Sequence, residues 1–300
     1  MKAWVALLLA WGLAAVPSGA AEPGTGPLRV VTLTTVLTEI AQEVGGGEVD
    51  VTGLVQPGVD PHTFNPSPAD VRLVVDADLV LASGLNLESY LDRLVASVGP
   101  KGRVVAVGDG APLVLSILRP GGVGETDPHW WHSIDNMRFA VELVRSEFAR
   151  LRPGSKEEFA RNARAYERRL EDLRTWVAQE VATLPAPRRQ LVTSHDAFAY
   201  FGHDYGFVVH PINGLSSEGE ADAKHLAALI DLIRGEKIRA IFAESTVNPR
   251  LVENLLDETG ARLGDTLYGD GLGPPGSGAE TYDSMYRHNV QAIVRGLSAP

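Results

Sequence analysis

The chain has 300 residues, 38 acidic against 27 basic side chains, eight histidines and no cysteine. That length supports one large domain or two medium ones with a sizeable core, and 44% hydrophobic with 22% charged residues is an ordinary globular mixture. The formal charge of -11 argues against a nucleic-acid partner, and the missing cysteines exclude disulfides, thiolate metal sites and thioether lipid anchors.

The N-terminus reads as an address. Met1-Lys2 is a short positive segment, Ala3 to Val16 is apolar apart from Gly12, and Ser18-Gly19-Ala20 is a small-residue cleavage site. Residues 1–20 are therefore expected to be a cleavable secretory signal peptide, since the apolar run is shorter than the roughly 20 residues of a membrane span. With no lipid-anchor cysteine behind it, the expected location is the periplasm.

After a Pro/Gly leader, strands are predicted at Leu28 to Leu33, Val49 to Val55, Ala77 to Ala82 and Val104 to Val107. Helices at Thr35 to Val44, Pro68 to Val75 and Leu87 to Val98 lie between them. Such alternation predicts a parallel sheet with helices on both faces. Asp109 to Thr126 reads as a short Gly/Pro-containing loop, and Ile134 to Leu151 as a helix stopped at Pro153-Gly154. Ser155 to Glu158 has the S-x-x-E form of a capping box. Beyond it Phe159, Ala163, Tyr166, Leu170, Leu173, Val177 and Val181 form one apolar stripe on a long helix that ends before Pro185. A helix of about 28 residues is about 40 Å long, enough to run the height of two stacked domains. The second half repeats the alternation. Strands are predicted at Gln190 to Thr193, Phe207 to His210, Ile238 to Phe242 and Ala261 to Tyr268, and helices at Ala223 to Arg234, Pro249 to Thr259 and Thr281 to Leu297. Asn213 to Asp222 is a small, polar, acidic loop, and no sequence repeat relates the halves.

The histidines carry the chemistry. Asp-Pro-His occurs twice, as Asp60-Pro61-His62 and Asp127-Pro128-His129, and the proline stiffens the backbone beside each imidazole. Thr193-Ser194-His195-Asp196 and Tyr268-Gly269-Asp270-Gly271 complete the set of candidate segments. Imidazoles with one carboxylate suit zinc or another borderline metal, and Asp127, Asp196 and Glu244 are acidic groups able to support such a site. Spacing alone does not make the segments converge. His129 and His132 are three apart, so either could be the ligand.

As a set, Asp60 to Phe64, Asp127 to Trp130, Thr193 to Phe198, Phe242 to Ser245 and Tyr268 to Asn289 resemble the metal-binding proteins of cluster A-I ABC importers, the ZnuA/AztC and TroA-like family. The resemblance covers nearly all of the chain after the leader. It implies two parallel-sheet α/β lobes joined by one long rigid helix, with the metal in the cleft between them. The implied divisions are an N-terminal lobe over 28–152, a linking helix over 153–184 and a C-terminal lobe over 185–300. Carried over by position, it makes His62, His129, His195 and Asp270 the metal ligands. Histidine at the third position marks zinc members and glutamate marks manganese members, so His195 implies Zn(II) as the transported ligand. His132, Glu244, Asp196 and His225 are implied as supporting or accessory groups.

The implied function is capture of zinc and delivery to the membrane permease of an ABC importer by a monomer. By resemblance to AztC-type systems a periplasmic zinc metallochaperone is a further partner, and the loop over 213–225 is read as closing over the metal, as meeting that partner, or as a plain solvated loop. The histidine-rich loop of many zinc members is absent, because Asp109 to Thr126 contains no histidine. Manganese or iron is the alternative cargo. A zinc hydrolase is the rival class, but a fourth ligand and the absence of HExxH and G-x-S-x-G patterns argue against it. Proton competition is expected to weaken metal binding below pH of about 6.5. His203, His210 and His288 read as packing or surface residues.

Overall fold

A computed structural model describes residues 26–98, 103–118, 124–216 and 222–298. The signal-peptide reading over 1–20, and residues 217–221 of the acidic loop, lie outside the described residues.

The first lobe is a four-stranded parallel sheet. Strand β1 (Leu28–Thr32) leads into α1 (Thr35–Gly45), β2 (Val49–Gly53), α2 (Pro68–Asp76), β3 (Leu79–Ala82), α3 (Leu91–Val98) and β4 (Arg103–Ala106). The strand order is β2-β1-β3-β4, with Val30 beside both Val51 and Leu79. All four residues of β3 are buried, as expected of a strand covered on both faces. Thr34 caps α1 by accepting from Leu37 N, and Ser67 with Asp70 makes a reciprocal capping box on α2, with Pro68 in its first turn.

An antiparallel pair follows, β5 (Ser116–Leu118) with β6 (Gly124–Thr126), inside the segment read as a loop. A short 3-10 turn, Trp130–His132, then opens α4 (Ile134–Leu151). Helix α5 (Lys156–Ala182) has 27 residues, about 40 Å of helix. Its buried face is the predicted stripe, Phe159 to Val181. It packs on α1 and α4 of the first lobe and on α9 (Tyr282–Ser298) of the second, and so fastens the two together. The capping box predicted at its start does not form. Ser155 Oγ donates instead to Glu48 Oε2 at 2.6 Å, because the chain enters α5 through a 3-10 turn over Pro153–Ser155.

The second lobe comprises β7 (Gln190–Thr193), α6 (Ala199–Tyr205), β8 (Val208–Pro211), α7 (Ala223–Gly235), β9 (Ala240–Phe242), α8 (Arg250–Thr259), β10 (Arg262–Leu263) and α9. Its sheet is also parallel, in the order β10-β9-β7-β8. Numbered within each lobe, both sheets run 2-1-3-4, a shared topology that no sequence repeat announces.

Two predicted elements change and one helix is added. The strand expected over Ala261 to Tyr268 shrinks to Arg262–Leu263, plus one bridge between Glu244 and Leu267. Helix α3 starts at Leu91 rather than Leu87, because Gly84, Leu85 and Asn86 hold φ of 82, 53 and 65° and turn the chain first. Helix α6, ended by left-handed Gly206, has no counterpart in the sequence reading. One continuous core runs through α1, α4, α5 and α9, and a smaller apolar cluster covers the other face of each sheet.

Candidate metal centre

Both sheets direct residues into the cleft from the carboxyl ends of their strands, where open α/β sheets place their sites. His62 lies on the loop between β2 and α2, and its backbone N–H donates to Asp60 Oδ1 at 2.8 Å. His129 precedes the 3-10 turn before α4 and donates its backbone N–H to Asp127 Oδ1 at 2.9 Å. The two Asp-Pro-His segments therefore share one device, in which the aspartate closes a turn over the proline and fixes the histidine. His195 follows β7. Asp270 lies between two glycines, and a side chain at Gly269 would strike Glu244 Oε2.

These four residues converge, with one donor atom from each lying within 4.8 Å of all the others. His62 Nε2 is 3.1 Å from His129 Nε2, and Asp270 Oδ1 is 3.4, 3.6 and 3.1 Å from the Nε2 atoms of His62, His129 and His195. A tetrahedron with bonds of about 2.0–2.1 Å has edges of about 3.3–3.4 Å, so the spacing suits one small cation. The side chains of His129, His195 and Asp270 are fully buried, and His62 alone keeps some exposure, which places the mouth of the site on its side.

The outer nitrogens are held by carboxylates. His129 Nδ1 is 2.8 Å from Asp127 Oδ1. His195 Nδ1 is 2.9 Å from Glu244 Oε2, an ion-pair distance without the alignment of a hydrogen bond. Glu244 Oε1 also accepts from His195 N at 3.0 Å. Such partners point Nε2 inward and make the imidazole a stronger donor. Thr246 Oγ1, on the same β9–α8 loop as Glu244, donates to Asp270 Oδ2. Thr246 was not among the sequence candidates, and only its place two residues after Glu244 hints at it.

Charge in the cluster is tightly organised. Burial by itself pushes His129 toward the neutral form, but Asp127 and Asp270 outweigh it and lift the ring to about 9. Burial opposes protonation of His195 too, yet Glu244 and Asp270 hold it well above the usual imidazole range. Burial would raise Asp270, but the surrounding histidines keep it well below the usual carboxylate range. The proton-competition window expected near 6.5 therefore moves upward. Asp196 is raised to about 6 by burial and then by the charge of Asp127; it sits within electrostatic reach of His129 and His195.

His132 is not brought to the cluster. Its Nε2 donates to Gly269 O at 2.8 Å, its ring lies 4.6 Å from that of Phe198, and burial drives it down to about 3, so it stays neutral. Trp131 Nε1 donates to the same carbonyl at 2.9 Å, while Tyr282 and Tyr286 of α9 donate to the carbonyls of Trp131 and His132, both at 2.7 Å. The turn carrying His129 is thereby bound to the second lobe.

His225 is not brought to the cluster either. It is exposed at the start of α7, with Nε2 on Pro211 O at 2.9 Å. The other histidines have ordinary partners: His203 pairs with Asp204, His210 with Gln190 and His288 with Thr266 O. No helix among the described residues is long and apolar enough to cross a membrane.

The whole chain resembles known proteins. Residues 30–296 match the family model described as ZnuA, zinc-uptake complex component A, periplasmic. The chain is 36% identical to the manganese-binding lipoprotein MntA of Bacillus subtilis, over 90% of each chain. It is 35% identical to the zinc-binding protein TroA of Treponema pallidum, over 91% of this chain and 90% of TroA. The solved structure of that periplasmic zinc-binding TroA superposes with a TM-score of 0.85 at 34% identity, over 91% of this chain and 99% of TroA. Other relatives include an iron-binding protein, YfeA, of Yersinia pestis, at 32% identity over 90% of this chain and 86% of YfeA. These are substrate-binding proteins rather than enzymes, and the hydrolase alternative falls with them. The chain belongs to the ZnuA family of metal-binding, substrate-binding proteins of ABC transporters.

Proposed function

We propose that this protein captures Zn(II) with His62, His129, His195 and Asp270 and passes it to the permease of a zinc ABC importer. The observation that carries the reading is the donor set: three imidazole nitrogens and a single inward carboxylate oxygen at tetrahedral spacing. Nitrogen-rich four-coordinate sites suit zinc, whereas manganese is better served by more oxygen donors. The relatives' names divide among manganese, zinc and iron, so the support for zinc comes from the donor set rather than from kinship. Because the rings of His129 and His195 favour their protonated forms, capture of the cation releases protons. Asp127 then accepts from the Nδ1–H group of His129, and Glu244, at ion-pair distance from His195 Nδ1, and Asp196 act as supporting groups.

We place this activity in the periplasm, with residues 1–20 as the export signal and lobes at 28–152 and 185–300 joined by the helix over 153–184. The sequence has no cysteine for a thioether lipid, although several relatives are named lipoproteins.

The test is elemental analysis of untagged protein after exposure to equimolar zinc, manganese and iron, alongside His195→Ala. About one zinc per chain, lost in His195→Ala, is the expected result. Retention of zinc by His195→Ala refutes the ligand set, and manganese or iron in place of zinc refutes the cargo.

A further inference from the structure

Among the described residues, Asp270 is the only carboxylate whose oxygen faces all three inward nitrogens of the cluster, and its two oxygens have different occupations. Oδ1 is the atom at 3.4, 3.6 and 3.1 Å from the three Nε2 atoms. Oδ2 accepts the hydroxyl of Thr246. The hydroxyl is set by its own loop. Ser245 N donates to Leu267 O at 2.9 Å and Val247 N to Glu244 O at 3.3 Å, so the residues on either side of Thr246 are tied down. Gly269 and Gly271 flank Asp270, and added side chains there would strike Glu244 and Thr35, so the backbone on either side of the carboxylate is closely packed.

A carboxylate that offers one oxygen gives four-coordination with three histidines; one that offers both raises the number to five or more. Coordination number is one of the levers that separate zinc from manganese when raw affinity does not. We infer that Thr246 is a specificity-determining residue: by holding Oδ2 it keeps Asp270 one-armed and so favours a tetrahedral cation over one that needs more oxygen. This inference rests on the zinc reading above for the identity of the favoured metal, but the one-armed geometry is its own claim. Thr246 touches no cation in this scheme; it acts through Asp270 as a positioning residue.

Thr246→Val removes the hydroxyl with little change of shape, and Thr246→Ser keeps it. The measurements are zinc X-ray absorption, giving coordination number, and direct competition between zinc and manganese. Melting of the metal-free variants checks their folding. Thr246→Val is expected to raise the coordination number from four to five, weaken zinc by about 10–100-fold and narrow the preference over manganese. Thr246→Ser is expected to match the wild type on both readouts. An unchanged coordination number and zinc:manganese ratio in Thr246→Val overturns the inference, as does a wild type with both Asp270 oxygens on zinc. Either leaves the zinc assignment standing. A wild type that prefers manganese overturns the zinc assignment instead, and the change of coordination number between wild type and Thr246→Val still decides the role of Thr246.

Discussion

Replacing Asp127 by asparagine should change how metal affinity depends on pH more tellingly than it changes affinity itself. Asp127 Oδ1 bonds both the backbone and Nδ1 of His129, and with Asp270 it lifts that ring to about 9 against the burial that opposes it. At pH 7 the wild-type ring therefore binds a proton about 100-fold more often than not, and a cation must displace it. This one proton makes affinity rise about tenfold per pH unit up to pH 9, and a second from His195 steepens the rise toward a hundredfold. Falling pH acts in the opposite sense, with loss beginning below about 9. In Asp127→Asn the largest force raising the ring is gone and burial prevails, so the slope should drop by about one proton. Affinity also falls, by about 10–100-fold, because the imidazole loses its orienting carboxylate. Competition against a chelator at pH 6, 7 and 8 gives the slope, and calorimetry in two buffers counts the protons. Identical slopes for variant and wild type, or a wild-type affinity flat across this range, would refute the reasoning. The metal-free fold obeys the converse sign. Pairing of protonated His129 stabilises it fully below about 6.5, and that contribution is lost as pH rises through about 9.

Two further outcomes are expected. His132→Phe should keep about one metal per chain, since Trp131 still holds Gly269 O, while costing about 1–3 kcal/mol in denaturant melts; loss of the metal would show that His132 is a ligand. Leu173→Ala on the sealed face of α5 should cost about 2–5 kcal/mol by chemical denaturation, and a shift below about 1 kcal/mol would mean that this face does not bear on the shared core.

Much of this was legible in the chain because long-period patterns survive local detail. The seven apolar positions from Phe159 to Val181 recur at helical spacing and are the buried face of α5. The β-branched runs at β1 and β7 stand out because strands covered on both faces admit few polar residues. What failed was local and depended on distant partners. Ser155 and Glu158 match a capping box, but Glu48 reaches Ser155 from more than a hundred residues away. Leu87 looks like a helix start, yet Leu85 and Asn86 just before it adopt left-handed backbone, and the Glu88 carboxylate accepts from Ser83 N and Gly84 N beneath them. At the site, all four candidate ligands stood out by their motifs, and Asp-Pro-His favoured His129 over His132, while what His132 does instead was visible only in the fold. Gly269 O, which claims the His132 ring, lies 137 residues away, and no spacing rule reaches that far.

The bonds around the Trp130–His132 turn have a consequence for how the two halves could part. By sequence His129 belongs with the first lobe, but its turn is fastened to Gly269, Tyr282 and Tyr286 of the second. Tyr200 adds a bond from α6 to Asp127 O at 2.8 Å. Any hinge that left these bonds intact would divide the four candidate ligands three to one: His129, His195 and Asp270 would travel together, and His62, at the exposed mouth, would be the single gatepost that swings.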